Sequence, residues 1–463
     1  MSTDLRYLAI RQAAGLLARR EVSPVELAQA HLERIGRLQP SLHAFLTVTA
    51  ERALADARAA EEALKRGEGG PLLGIPIALK DLFFTAGIRT TAHSRVLTDH
   101  VPAEDATVVA RLRKAGMVLL GKLAMHEFAT AGPATELAPA ARNPWHTGYI
   151  PGGSSSGSGA AVAAGLCLAA LGTDTGGSIR QPSSFCGIVG LKPTYGRVSR
   201  HGVIPLCWSL DHVGPMARTV EDAALVLQAL AGPDPRDSTS STQPVPDYAA
   251  ALTGDVRALR VGLPDYFFGP EGGADREVLD AVNQAARELE GLGCRVVEVT
   301  IPGLRSARPA HSVIHGVEAY AYHAENLRRQ RQNYGPRLRQ RLLVGALFSG
   351  ADYVRALRLR AAFRAELARV FEQVDLLATP TNPVTALPFE GLDPRRQSRA
   401  HSFTGPFNLA GLPAASVPCG FSAAGLPIGL QLVGRPFEEA TVLRAAHAYE
   451  QHAGWYQRHP PVE

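Results

Sequence analysis

Two serine-bearing glycine segments and one lysine are the residues whose types and spacing could do chemistry. The first segment, Pro151-Gly152-Gly153-Ser154-Ser155-Ser156-Gly157-Ser158-Gly159, runs into AAVAAG. By composition alone it is a flexible linker. Yet a proline stands before it and an alanine-rich helical run follows. A loop entering a helix presents free backbone N–H groups, which suit an anion or a developing oxyanion. In the second segment, Leu171-Gly172-Thr173-Asp174-Thr175-Gly176-Gly177-Ser178-Ile179-Arg180, consecutive glycines let N–H groups converge beside the hydroxyl of Ser178. Read alone, it is equally a turn. Lys80 closes the apolar run IPIAL and is followed by Asp81. Its ammonium either snorkels to the surface or sits desolvated with a depressed pKa, able to accept a proton. The neighbouring residues fit both.

Rival chemistries fail on the same residues. Gly153-Ser154-Ser155-Ser156-Gly157 satisfies G-x-S-x-G, with Ser155 as nucleophile, but that elbow must follow a strand and HTGYIPGG is not one. His126-Glu127-Phe128-Ala129-Thr130 begins like a zincin helix and lacks the second histidine. No P-loop pattern occurs, and none of the 15 histidines pairs with another at convincing helical ligand spacing. The five cysteines, Cys167, Cys186, Cys207, Cys294 and Cys419, are scattered, without a C-x-x-C pair. That argues against structural zinc or a disulfide framework and suits a reducing cytoplasm. The N-terminus has no signal-peptide h-region, and the most apolar run, Ala160 to Leu171, is too short to span a bilayer. A cytoplasmic chain with no membrane contact is expected. Lys and Arg number 48 against 43 Asp and Glu, a weakly basic balance that gives poor support for nucleic-acid binding.

These groups need a scaffold. Ser23-Pro24-Val25-Glu26 reads as a capping box opening a helix, and a second helix over about 49–66 ends at Gly67. Apolar runs at Ile75–Leu79 and Val118–Leu120 flank a helical pattern near 105–115, the signature of a sheet covered by helices. Further strands are expected near Val261, Val297, Leu377 and Leu430. Helices are expected near 274–292, 310–330, 335–346, 351–373 and 437–452. The arginine-rich helices, with Arg328, Arg329, Arg331, Arg337, Arg339 and Arg341 and then Arg355, Arg358, Arg360 and Arg364, read as solvated faces. At about 150 residues per domain the 463 residues allow three domains, but one α/β unit over 1–463 is the simplest architecture.

Taken together, the run PGGSSSGSGAAVAAGLCLAALGTDTGGSIRQPSSFCGIVGLKPTYGRVSR closely resembles the signature stretch of the amidase signature family. The likeness extends through GIPIALKD, GKLAMHEF, SLDHVGPMARTVEDAALVL and FNLAGLPAASVP, from about residue 22 to 433. It implies a large mixed central β-sheet covered by helices on both faces, with the N-terminal helices packed around it. It also implies a Ser-cisSer-Lys triad: Ser178 as nucleophile, Ser154 as the bridging serine after a cis Gly153–Ser154 bond, and Lys80 as base. Backbone N–H groups of Thr175, Gly176, Gly177 and Ser178 would form the oxyanion hole, with Asp174 and Arg180 as braces. The reaction implied is hydrolysis of a small-molecule carboxylic amide, ester or carbamate, with no metal or organic cofactor, no direct nucleic-acid contact and a possible homodimer.

The sequence departs from the family's pattern in several places. Ser156 stands where many relatives carry Gly, and Gly159 where many carry Ala. The alternative is the glutaminase subunit of an aminoacyl-tRNA amidotransferase, which it resembles in part. That subunit reads NMDEF where this chain has Ala124-Met125-His126-Glu127-Phe128, and its glutamine-binding carboxylate falls at His401. Arg341 aligns with the arginine that holds the glutamine carboxylate. Thr130, Arg341 and His401 are therefore the expected substrate contacts, with pocket walls around Ala129–Ala134 and in helices between 310 and 350.

Overall fold

In the computed structural model the described residues are 4–463 without 131, 134, 135, 394, 396–398, 400 and 401. His401 thus lies outside them. Eleven strands form one sheet: β1 (Phe45–Val48), β2 (Pro76–Lys80), β3 (Val118–Leu123), β4 (Ala169–Asp174), β5 (Val189–Lys192), β6 (His212–Ala217), β7 (Arg260–Pro264), β8 (Arg295–Val299), β9 (Leu376–Pro380), β10 (Ala414–Phe421) and β11 (Pro427–Gly434). Their spatial order is β1-β3-β2-β4-β6-β5-β10-β11-β9-β7-β8. The pairs β2/β3, β2/β4, β7/β8 and β7/β9 are parallel, while the central strands from β4 to β9 pair antiparallel, so the sheet is mixed as expected.

Side chains on a strand alternate between faces, and this sheet buries both. Ile77, Leu79, Leu119 and Leu171 join one apolar cluster, whereas Ala78, Val118, Leu120 and Ala170 join another. The second cluster contains Ala160–Ala164 and residues of the N-terminal helix Pro24–Leu42, including Ala28, Ile35 and Leu38. That helix opens on the expected capping box, with Ser23 Oγ accepting from Glu26 N and Glu26 reaching back to Ser23 N.

The run Ala160–Leu171 splits into the end of the helix Ser156–Ala163, a turn and the start of β4. Its small side chains suit close packing: a Cβ on Gly159 would lie 3.1 Å from Pro182, in the neighbouring helix Arg180–Cys186. Strands β2 and β4 run parallel, so their carboxyl ends, Lys80 and Asp174, emerge at the same edge. In open sheets, sites form beyond the carboxyl ends of parallel strands. Among the described residues no helix is long and apolar enough to cross a membrane.

Candidate active site

Both glycine segments meet at that edge. The chain passes from Gly152 into the cis Gly153–Ser154 bond and on to the helix starting at Ser156. Gly153 N donates to Gln181 Oε1 (3.0 Å), and Ser155 N donates to the carbonyl of Ser178 (3.2 Å). These bonds stitch the Ser154 loop to the Ser178 loop, and both serines line one cavity of about 440 Å³. Gly153 is sterically required: a Cβ there would fall 2.0 Å from the His126 ring. His126 N donates to the Ser154 carbonyl (3.0 Å), fixing the same loop from the other side.

Lys80 does not snorkel. It is fully buried, with Nζ 2.8 Å from Ser154 Oγ and 2.8 Å from Thr173 Oγ1. Burial drives its pKa from an ordinary 10.5 to about 7, while the more distant charges of Asp174 and Asp211 oppose the fall. The contrast with another buried lysine is informative. Lys122 ion-pairs with Asp81 at 3.2 Å, whereas Lys80 has hydroxyls as its partners. A lysine neutral near pH 7 and touching a serine hydroxyl is suited to accept that proton.

The Ser178 loop is held by a buried ion pair. Asp174 Oδ1 lies 2.9 Å from Arg180 Nη2, both side chains being fully buried. Burial alone would raise the Asp174 carboxyl, but the Arg180 guanidinium, with Lys192 and Asn408, holds it well below the usual carboxylate range. Arg180 also donates to Gln431 Oε1 and Asn408 Oδ1, each at 2.6 Å, tying the loop to β11 and to the helix Gly405–Ala410. Asp174 also accepts from Gly177 N (2.7 Å), so one of the four amides expected to form the oxyanion hole already has a partner. The Gly177 N–H is directed at a buried carboxylate that needs donors, which leaves Thr175, Gly176 and Ser178 of the four amides. Thr175 is anchored through Oγ1 to Asp211 Oδ1 (2.6 Å), and its carbonyl accepts from His311 Nε2 (2.8 Å).

Beyond the serines, two helices wall the cavity. Leu304–Gln330 presents Arg308, His311, Ser312 and His315, and Pro336–Gly345 presents Arg337, Gln340, Arg341 and Val344. Both sets follow the i, i+3, i+4, i+7 spacing of one helix face. Arg337 and Arg341 are exposed, as their arginine-rich context implied, but they also open onto the cavity. Thr130 also lines the cavity. The second helix is anchored by Glu127, whose carboxylate accepts from Ser94 Oγ (2.6 Å) and from Gly335 N (3.1 Å). Sequence reasoning missed Thr173, Arg337 and His311 as site residues. Their spacing on helices and strands resembles that of ordinary positions, and only tertiary structure brings them to the site. Among the described residues no cluster of three His, Cys, Asp or Glu is placed to hold a metal.

Comparison with known proteins gives this geometry a lineage. The A-subunit of glutamyl-tRNA(Gln) amidotransferase from Moorella thermoacetica is 47% identical over 491 residues, covering 99% of each chain. The solved A-subunit of the Thermotoga maritima enzyme superposes with a TM-score of 0.84 at 37% identity, covering 97% of this chain and 96% of that one. A structure described as an unexpected vestigial protein complex that reveals the evolutionary origins of an s-triazine catabolic enzyme gives a TM-score of 0.91. It is 36% identical and covers 96% of this chain and 99% of its own. These relatives correct one expectation. The expectation of no direct nucleic-acid contact does not stand beside full-length relatives named for glutamyl-tRNA(Gln). The family model for Amidase matches residues 26–443, a span that takes in Lys80, both serine loops and the arginine-bearing helices, and the chain belongs to that family.

Proposed function

We propose that this chain hydrolyses a carboxylic amide through an acyl-enzyme on Ser178. The observation that carries the reading is a buried Lys80, its pKa lowered to about 7, placed 2.8 Å from Ser154 Oγ. Serine is a weak nucleophile and needs a base. Neutral Lys80 takes the Ser154 proton while Ser154 takes that of Ser178, whose oxygen attacks the amide carbon. The amides of Thr175, Gly176 and Ser178 receive the developing oxyanion. The proton returns by the same route to the leaving nitrogen. Water then attacks the acyl-enzyme, is deprotonated along the same path, and releases the acid.

The names of the full-length relatives support a finer reading, in which this hydrolysis is the ammonia-releasing half of a glutamyl-tRNA(Gln) amidotransferase. In that setting the chain works with partner subunits on glutamyl-tRNA(Gln). The five buried, unpaired cysteines support a reducing, cytoplasmic setting. The cavity favours a second reading, an amide other than glutamine. Arg341 can receive a carboxylate, but no acidic side chain among the described lining residues answers an α-ammonium.

A fluorophosphonate probe tests the first claim. It is expected to label Ser178 and to leave Ser178→Ala unlabelled, and label on Ser155 would overturn the assignment. Glutamine turnover, measured alone and with the partner subunits of a relative, separates the two finer readings. Strong stimulation by those subunits supports the amidotransferase. Free turnover of non-amino amides with no stimulation supports the second.

A further inference from the structure

We propose that the cavity selects an amide whose acyl part carries two anionic groups, one received by Arg341 and a second by Arg337. The inference rests on the reading that Ser178 attacks an amide in this cavity, and it names the substrate class. Arg337 and Arg341 stand four residues apart on one helix face and both line the cavity. Like charges at that spacing repel mildly, and an anion before them relieves the repulsion.

Some arginines nearby are paired. Arg305 pairs with Glu271, Arg329 with Glu325 and Arg355 with Asp352. Among the described residues, neither Arg337 nor Arg341 has an ion pair or a side-chain hydrogen bond. No acidic residue among them lines the cavity, which Arg308 and the imidazoles of His311 and His315 also face. The charged side chains among the described lining residues are the guanidinium groups, burial keeping His311 toward its neutral form, so a zwitterion such as glutamine brings its ammonium against like charge.

Guanidinium forks match carboxylates two N–H bonds at a time. At about 440 Å³ the cavity is of the size that encloses a small acid rather than a polymer. Planar groups from two positions of one helix reading two carboxylates would set both the length and the charge of the acyl chain that reaches Ser178.

Calorimetry with the Ser178→Ala protein, which cannot turn substrate over, reads the charge preference directly. The probes are tricarballylic acid monoamide with two carboxylates, glutaramic acid with one, butyramide with none, and glutamine. The dicarboxylate is expected to bind at least about tenfold tighter than glutaramic acid, with butyramide and glutamine weaker still. Adding Arg337→Gln should remove that tenfold advantage and leave glutaramic acid within about twofold, while Arg337→Lys restores part of it. Arg341→Gln should weaken both acids. Equal affinity for the two acids, or an Arg337→Gln loss shared equally by them, overturns the proposal. The function itself is read separately: failure of wild-type Ser178 to take the fluorophosphonate label would sink the hydrolysis and leave the charge preference standing on its own measurement.

Discussion

Replacing Lys80 by arginine separates a proton-accepting role from a merely electrostatic one. The site lowers the Lys80 pKa from 10.5 to about 7. At 1.36 kcal/mol per pKa unit, that is roughly 5 kcal/mol of preference for the neutral amine. The sign follows from the direction of the shift. Below pH 7 the ammonium predominates and cannot accept a proton, and above it the free amine does, so kcat/KM should rise with pH through about 7 and level off. At pH 5 roughly one enzyme in a hundred carries the neutral base, which sets a fall of about 100-fold from the plateau. Arginine keeps its proton across this range. Lys80→Arg should therefore lose about a thousandfold or more in kcat/KM at pH 8, close to Lys80→Ala, within the range general-base removal gives. Ser154→Ala should be milder than Ser178→Ala, because a water molecule can occupy the space of the lost hydroxyl. The assay is kcat/KM from pH 5 to 9 on one chromogenic amide, with circular dichroism to confirm folding. A Lys80→Arg enzyme within tenfold of wild type, or a wild-type profile flat across pH 7, would refute the relay.

Other consequences are equally direct. Gly153→Ala puts a methyl group 2.0 Å from the His126 ring; it should displace the Ser154 loop and abolish turnover, and His126→Ala in the same chain should recover part of the labelling of Ser178. Asp174→Ala leaves Arg180 charged and buried without its partner, which should cost about 3–5 kcal/mol in urea unfolding, whereas Asp174→Asn keeps an acceptor and should cost less. Asp222 is fully buried, and burial raises its carboxyl from 3.8 to about 7. A raised folded-state pKa gives stability that is complete below about pH 4 and lost as pH climbs to 7, roughly 4 kcal/mol in all. The melting temperature of Asp222→Asn relative to wild type should thus move in the variant's favour between pH 5 and 8, and a constant difference would contradict it.

The parts of this fold legible in the sequence are those with a one-sided pattern. The helices Ala50–Lys65, Arg276–Gly291 and Gly350–Gln373 meet solvent on one face, so their periodicity marks them to within a few residues. The strands β4, β5, β6 and β10 are buried on both faces and carry Ala, Gly and Pro in place of alternating β-branched residues. No periodic signal distinguishes them from loops or helix ends. Likewise the amidase resemblance pointed to Lys80, Ser154 and Ser178, while local sequence left Lys80 open between surface and core. Its burial depends on β2 lying between β3 and β4 in the sheet, a pairing of segments far apart in the chain. Arg337 was hidden for a different reason: on a helix bearing several arginines, charge alone does not say which of them line a cavity.

The attachment of the cavity wall has an evolutionary consequence. Lys80 and Asp174 end buried strands, and Ser154, Ser178 and Arg180 lie in the loops and helix starts packed beside them, where almost any substitution disturbs packing. The further wall of the cavity rides on two helices, and Glu127 at the Gly335 amide fastens the second of them to the body. Selection can therefore rewrite those helix faces, charge by charge, without retuning the chemistry beneath. A lineage built this way can drift from one amide to another by surface exchange. For an engineer, this makes the four cavity-lining positions of each helix the library, and the sheet edge the part to leave alone.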